Sequence, residues 1–106
     1  MQRKPELTHE EFVNHWFKIH GALARKVPGV RRYMQNHIRE ISSRADIPDL
    51  DMEIDGIAEL WWDDADAMKV SIATPEAQAM FADGALIIGR IKTFVIAEEA
   101  IIDDAS

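Results

Sequence analysis

Two side chains in the first third of this 106-residue sequence, His20 and Tyr33, could perform acid–base chemistry. At about 100° per residue, His20 falls near the centre of a helical arc of apolar side chains. That arc is formed by Phe12, Val13, Trp16, Phe17, Leu23, Ala24 and Val27. A polar ring in such an arc loses hydration and needs a partner or a function. An imidazole can accept a proton near neutral pH, and a phenol on the next predicted strand could bind a substrate oxygen.

Each of these side chains also has a structural interpretation. His20 could be a core histidine satisfied by one hydrogen bond, for example to Tyr33. Tyr33 could pack as an aromatic body with its hydroxyl satisfied at the edge of a pocket. His37 alternates in step with Tyr33 and Gln35, so the three could line one groove, or His37 could lie in solvent at a strand end. Both kinds of interpretation are compatible with the sequence.

The histidine spacing does not favour a metal site. His15 and His20 are five residues apart, which in an α-helix separates them by about 140°. Glu11 and His15 do share a helix face, but two ligands without a third are better interpreted as a surface pair. The sequence contains no cysteine, which excludes thiolate ligands and thiol nucleophiles. We therefore predict no metal and no other cofactor.

Length and composition bound the class of protein. A chain of 106 residues with 47% hydrophobic and 29% charged residues is typical of one globular domain, residues 1–106. The net charge of −7 argues against a nucleic-acid surface. The longest apolar run, Ala85–Ile88, is too short to span a bilayer, and the polar N-terminus lacks a secretory apolar region. We expect a cytoplasmic protein that binds neither nucleic acid nor membrane.

Capping and breaking residues delimit the elements that would position these side chains. Thr8 and Glu11 form a capping box for a helix from about Glu10 to Lys26, and Pro28-Gly29 ends it. The other predicted elements are strands at Val30 to about Arg39, Gly56–Trp62 and Lys92–Ala97, and helices from Asp63 or Asp64 to about Ile72 and from Thr74 to near Gly84. Gln2 to Pro5 is a poor central strand, so it is either a stub or residues upstream are missing, and we favour the second. We expect loop 42–53 to be mobile.

The order of these elements predicts a ferredoxin-like α+β fold, a split βαβ sheet with helices on one face. The other face is then bare, and its apolar candidates are Met34, Ile38, Ile57 and Trp61. A bare apolar sheet face predicts self-association.

Several short motifs occur in a defined order and spacing. They are Leu7-Thr8-His9-Glu10-Glu11-Phe12, His15-Trp16, His20, Val27-Pro28-Gly29-Val30, Tyr33, Asp55-Gly56-Ile57-Ala58-Glu59-Leu60-Trp61-Trp62, Thr74-Pro75-Glu76 and Ala82-Asp83. Together, over nearly the whole chain, they resemble the EthD-like family of dimeric α+β barrel proteins. The family includes a muconolactone methylisomerase, fungal dehydratases or decarboxylases of aromatic polyketides, and an ether-degradation accessory protein.

The resemblance implies a homodimer in which two sheets form a barrel, with a small-molecule pocket in each subunit. It implies that His20 and Tyr33 line that pocket, because the methylisomerase has a catalytic histidine and a tyrosine at the matching positions. The methylisomerase also has a cysteine where this chain has Leu60, and a further histidine in the loop matching 42–53. Both are absent here, which puts that particular isomerisation in doubt. Glu59 alternates against Leu60, so we expect it at the dimer interface, paired with Arg31, Arg32 or Arg39.

We therefore predict a small cofactor-independent enzyme of the isomerase or lyase type, acting on a hydrophobic oxygenated ring compound such as a lactone or an aromatic polyketide intermediate. His20 would abstract a proton and Tyr33 would bind the developing oxyanion. The predicted substrate contacts are Trp16, Gln35, His37, Leu60, Trp62 and Phe81. The alternatives are a non-catalytic small-molecule-binding or accessory protein and a cofactor-independent monooxygenase.

Overall fold

A computed structural model describes residues 1–102 of the chain. Its elements are β1 (Gln2–Arg3), α1 (His9–His15), a π-helical turn (Trp16–His20), α2 (Gly21–Ala24), β2 (Arg32–His37), β3 (Gly56–Trp61), α3 (Ala65–Ile72), α4 (Pro75–Ile87) and β4 (Ile88–Arg90). None of the helices in this part of the chain combines the length and the apolar character that crossing a membrane requires.

Local capping chemistry begins each main helix where the sequence predicts it. The Thr8 hydroxyl accepts from the Glu11 amide at 3.1 Å, and the Glu11 carboxylate accepts from the Thr8 amide at 2.9 Å, so the predicted capping box is confirmed. Asp64 caps α3, and Thr74 caps α4 ahead of Pro75. Element α1, the π-helical turn and α2 follow one another without a break and together form the predicted first helix.

The four strands form two antiparallel two-stranded sheets that lie side by side in the order β4–β1–β3–β2. Strands β2 and β3 pair antiparallel from Arg32↔Trp61 to His37↔Gly56, and β1 pairs antiparallel with β4. Main-chain hydrogen bonds join the two ladders, because the Met1 carbonyl accepts from the Asp55 amide at 2.9 Å and the Met1 amino group donates to the Gly56 carbonyl at 2.9 Å. This arrangement confirms the predicted ferredoxin-like α+β fold.

The helices cover one face of the sheet and leave the other bare. On the covered face Trp16 and Phe12 are fully buried and pack with Ile87. A Cβ at Gly56 would lie 2.4 Å from Cζ3 of Trp16, so the indole requires glycine at the start of β3. On the opposite face Met34 and Ile57 are 41% and 48% exposed.

The prediction for the last strand is wrong. The sequence predicts it at Lys92–Ala97, whereas β4 is Ile88–Arg90 and follows α4 directly, because α4 continues past Gly84 to Ile87. Residues 91–102 form no strand, although they include the exposed side chains of Phe94, Val95 and Ile96. The predicted position rests on β propensity, but a strand also needs a partner, and the partner β1 reaches only as far as β4.

Candidate functional site

A buried carboxylate lies between two histidines at the centre of the helical layer. His20 is 7% exposed, and its Nδ1 lies 3.0 Å from Oδ2 of Asp83 on α4. The other carboxylate oxygen, Oδ1, lies 2.9 Å from Nε2 of His15. Asp83 is itself buried. A buried acid is stable only when its oxygens are hydrogen-bonded, and here both are.

The π-helical turn brings the two histidines onto the same carboxylate. A regular α-helix would separate His15 and His20 by about 140°, as the spacing suggests. In this chain, however, the Gly21 amide donates a hydrogen bond to the Trp16 carbonyl, which is five residues back instead of four. This wider turn places residues five apart one above the other. The prediction that the two histidines lie on different faces is therefore wrong.

The contact with Asp83 sets the tautomer of His20. A carboxylate only accepts hydrogen bonds, so Nδ1 of His20 must carry a proton and, in the neutral ring, the lone pair is on Nε2. Within residues 1–102, three buried side-chain polar atoms lack a hydrogen bond of ordinary geometry: Gln2 Oε1, Trp16 Nε1 and Trp62 Nε1. His20 Nε2 has no partner in the same region and is not one of them, so it keeps contact with solvent. That nitrogen is therefore the one able to accept a proton, on a ring that is only 7% exposed.

A second polar group lies on the covered face of the sheet. The Gln35 Nε2 donates to the Trp16 carbonyl at 2.8 Å and to the Tyr33 hydroxyl at 3.1 Å. The Gln35 Oε1 lies 3.1 Å from Nε2 of His37. The structure therefore brings together Tyr33, Gln35 and His37, which alternate on one side of β2.

Burial raises the pKa of Tyr33 above its usual value, and the Gln35 amide and the Trp16 indole, both near the phenol oxygen, offset part of that rise. Tyr33 is accordingly protonated at neutral pH. Its hydroxyl can accept from Gln35 and still donate its own proton to another oxygen.

The other predicted substrate contacts fall in different surroundings. Trp16 is fully buried and stacks on His37 at 5.0 Å between ring centroids, so it supports the site from inside the core. Leu60 lies opposite Tyr33 in the sheet, and Trp62 is half-buried just after β3.

Phe81, also predicted as a substrate contact, is 48% exposed and does not point into the interior. The buried stripe of α4 is formed by Ala77, Met80, Asp83, Gly84 and Ile87. Phe81 lies about 100° from the middle of that stripe.

The surface of residues 1–102 includes the following two grooves. One, of about 410 Å³, lies between the first helix and the end of β2 and is lined by His9, Glu10, Val13, Asn14, Phe17, Lys18 and His37. The other, of about 230 Å³, is lined by Pro28, Gly29, Arg31, Asp63, Ala67, Val70, Ser71 and Thr74. Of the predicted site residues, His37 lines the larger groove, whereas His20 and Tyr33 line neither.

The surroundings of Glu59 differ from those expected. Glu59 accepts from the Asn36 amide at 2.7 Å, while Arg31 pairs with Asp63 and Arg32 stacks over Trp61. Within this chain, the arginine partner expected for Glu59 is therefore replaced by an asparagine. No group of three or more histidine or acidic side chains in residues 1–102 is arranged to hold a metal ion.

Asp55 is a buried carboxylate that the sequence analysis missed. Its oxygens accept from the Arg3 amide at 2.8 Å, from the Arg3 guanidinium at 2.7 Å and from the His9 ring at 2.7 Å. Burial alone would raise the pKa of Asp55, but these hydrogen bonds and the charge of Arg3 outweigh it and hold that pKa below its usual value.

Asp83 was also not singled out, although a signal was present. It is the polar residue in the otherwise apolar buried stripe of α4, just as His20 is on the first helix. Two polar residues, each buried on its own helix, are natural partners when those helices pack together.

The fold and the site together define a small α+β protein with helices on one side of the sheet and a buried acid–base pair between them. The family model described as EthD domain matches residues 4–90. The chain therefore belongs to the EthD family. A crystal structure at 1.40 Å of an ethyl tert-butyl ether d (EthD) family protein from Bacillus halodurans C-125 is similar in fold, with a TM-score of 0.70 and 27% identity over 93% of this chain and 92% of that one. A search of curated proteins gave no match.

Proposed function

We propose that the protein is a cofactor-independent enzyme of the isomerase or lyase type, and that His20 abstracts a proton from a small oxygenated ring compound such as a lactone or an aromatic polyketide intermediate. The observation that supports this most directly is the contact of 3.0 Å between His20 Nδ1 and Asp83. It directs the lone pair of His20 to Nε2, the nitrogen that keeps contact with solvent.

The surroundings of His20 suit proton abstraction. The Asp83 carboxylate, hydrogen-bonded to Nδ1 of His20, holds the ring in place. It also compensates the positive charge that forms when Nε2 takes a proton. A neutral Tyr33 hydroxyl supplies a hydrogen-bond donor for an oxyanion. In this proposal the proton moves from a carbon next to a carbonyl to Nε2, and the electron pair moves to the carbonyl oxygen.

A second candidate function is binding without turnover, as an accessory protein. It is favoured by the position of the larger groove, which includes His37 but neither His20 nor Tyr33. A ligand held there would contact an aromatic wall and not the imidazole of His20.

One comparison of variants separates these functions. The wild type, His20→Ala and the exposed-loop control Arg44→Ala are incubated with lactones and hydroxylated aromatics while turnover, binding and oxygen uptake are followed. Turnover that is lost only in His20→Ala, with binding retained, is the expected result. Binding without turnover in all three proteins would contradict the enzyme proposal and support the accessory protein. Substrate-dependent oxygen uptake would indicate a monooxygenase.

We also propose that two copies of the chain associate through the bare sheet face. Exposed Met34 and Ile57 lie there beside Trp61, and these apolar side chains gain by burial in an interface. Ile57→Lys should convert a dimer to a monomer in sedimentation analysis, whereas Val70→Lys, on the exposed surface of α3, should not. A wild type that sediments as a monomer would contradict this assembly.

A further inference from the structure

The larger groove carries a hydrogen-bond acceptor whose orientation is fixed by the protein interior. The Trp16 carbonyl can only accept hydrogen bonds, so the group of Gln35 that faces it at 2.8 Å must be the amide nitrogen. The amide oxygen of Gln35 therefore faces His37 at 3.1 Å. Because that oxygen also only accepts, Nε2 of His37 must carry the proton, and in the neutral ring the lone pair is on Nδ1.

This lone pair is available to a ligand. His37 Nδ1 makes no hydrogen bond within residues 1–102 and is not among the buried unpartnered atoms of that region, so it keeps contact with solvent. The ring that carries it is held firmly, since it stacks on Trp16 at 5.0 Å and meets Phe17 edge-on at 6.0 Å between centroids.

The rest of the groove indicates which ligand would fit. Phe17 is 58% exposed and, with Val13, provides an apolar wall for a flat ring. Lys18 also lines the groove and brings a positively charged side chain to it, eight residues after Glu10. The volume of about 410 Å³ is at the lower end of the range for small-molecule sites.

We propose that this groove binds a hydroxylated aromatic carboxylate. The ligand hydroxyl donates to His37 Nδ1, its ring lies against Phe17 and Val13, and its carboxylate pairs with Lys18. The proposal rests on the small oxygenated ring compound of the proposed function but not on proton abstraction, because His20 does not line the groove.

Three probes test the assignment by calorimetry at pH 8: 4-hydroxybenzoate, 4-methoxybenzoate and phenol. In 4-methoxybenzoate a methyl group replaces the hydroxyl proton and removes the donor, so 4-hydroxybenzoate should bind roughly tenfold more tightly, the value of one hydrogen bond. His37→Phe keeps an aromatic ring on Trp16 but removes the acceptor, and should bind both carboxylates equally. Lys18→Ala should weaken both carboxylates and leave phenol unchanged.

Three results would overturn the proposal: equal binding of 4-hydroxybenzoate and 4-methoxybenzoate by the wild type, no binding of any probe at millimolar concentration, or a hydroxyl preference that persists in His37→Phe. A thermal scan of His37→Phe shows whether the variant is folded. Asp83→Asn distinguishes this proposal from the proposed function. Without the carboxylate that orients His20, turnover should fall by at least about 100-fold in that variant, whereas the hydroxyl preference should remain.

Discussion

Two of the hydrogen-bonded imidazoles of this protein, His20 and His37, differ in the kind of partner that orients them. His20 is held by a buried carboxylate between two helices, and His37 by a neutral amide at the edge of the sheet. Each partner fixes one tautomer and leaves the opposite nitrogen free. Only the carboxylate, however, compensates the positive charge of a protonated ring.

This difference separates two kinds of chemistry. A histidine beside a carboxylate can take a proton and keep it for the lifetime of an intermediate, which is the task of a general base. A histidine beside an amide is better suited to accept a hydrogen bond from a ligand without taking its proton. We therefore assign proton abstraction to His20 and ligand recognition to His37 in the two proposals.

The largest expected effect is that of Asp83→Asn. An amide at this position can donate to Nδ1 of His20 as well as accept from it, so the productive tautomer is no longer imposed. Turnover should fall by about 100- to 10,000-fold, the usual contribution of a general base. The ¹⁵N resonances of the His20 ring should shift towards the other tautomer. Unchanged resonances in a folded variant would remove Asp83 from the proposed role.

Asp55→Ala tests a carboxylate with a structural role. It leaves Arg3 and His9 without their shared partner, and we expect a loss of about 2 to 3 kcal/mol in the free energy of unfolding. Urea denaturation measures it. His9 is half exposed, so its ring should simply become solvated, and turnover should change far less than in Asp83→Asn.

The loss of stability caused by Asp55→Ala should depend on pH. The pKa of Asp55 is lowered in the folded protein, so its ionised form stabilises the fold at every pH above the unfolded value of about 3.9. That contribution is lost as the pH falls through the lower folded value. The stability difference between wild type and Asp55→Ala should therefore narrow in acid, below about pH 4. A constant difference down to pH 2 would contradict the assignment.

Gln35→Leu tests the amide that orients His37. The substitution keeps the volume but removes the bonds to the Trp16 carbonyl, Tyr33 and His37. We expect a loss of about 1 to 2 kcal/mol in the free energy of unfolding. The ¹⁵N spectrum of the His37 ring should then show a mixture of tautomers, while the spectrum of His20 is preserved.

The smallest expected effect is that of His15, which acts only through Asp83. His15→Leu removes one hydrogen bond from the carboxylate and should lower turnover roughly fivefold. His15→Gln, which can donate to the same oxygen, should recover most of that loss. Equal defects in both variants would mean that the ring matters for packing and not for holding Asp83.

The elements that depend on local chemistry were predictable from the sequence. Thr8, Asp64 and Thr74 cap their helices through their own side chains, so neighbouring residues suffice to identify each start. Strand β4 was not predictable in the same way. Its place depends on pairing with Gln2–Arg3 at the other end of the chain, and the stronger β propensity of residues 92–97 indicates the wrong segment.

The residues of the candidate site also differ in whether local sequence patterns identify them. His20 is identifiable as a polar residue on an apolar arc, and Tyr33, Gln35 and His37 share a side of β2 through simple alternation. The partner of His20 is 63 positions away in sequence. No spacing rule connects it to His20, and the π-helical turn that makes the second contact possible has no signature in the residue types of 16–20.

That turn also has a consequence for comparing relatives by alignment. The π-helical turn is equivalent to one residue inserted into an ordinary α-helix. It therefore rotates the later residues of the helix about the helix axis. A relative with a plain helix must carry its second imidazole four positions after the first to hold the same aspartate. A gap of one residue at this point of an alignment would therefore record a change of helix type, and deleting one residue between 16 and 19 should give an ordinary α-helix that keeps both imidazoles on the aspartate.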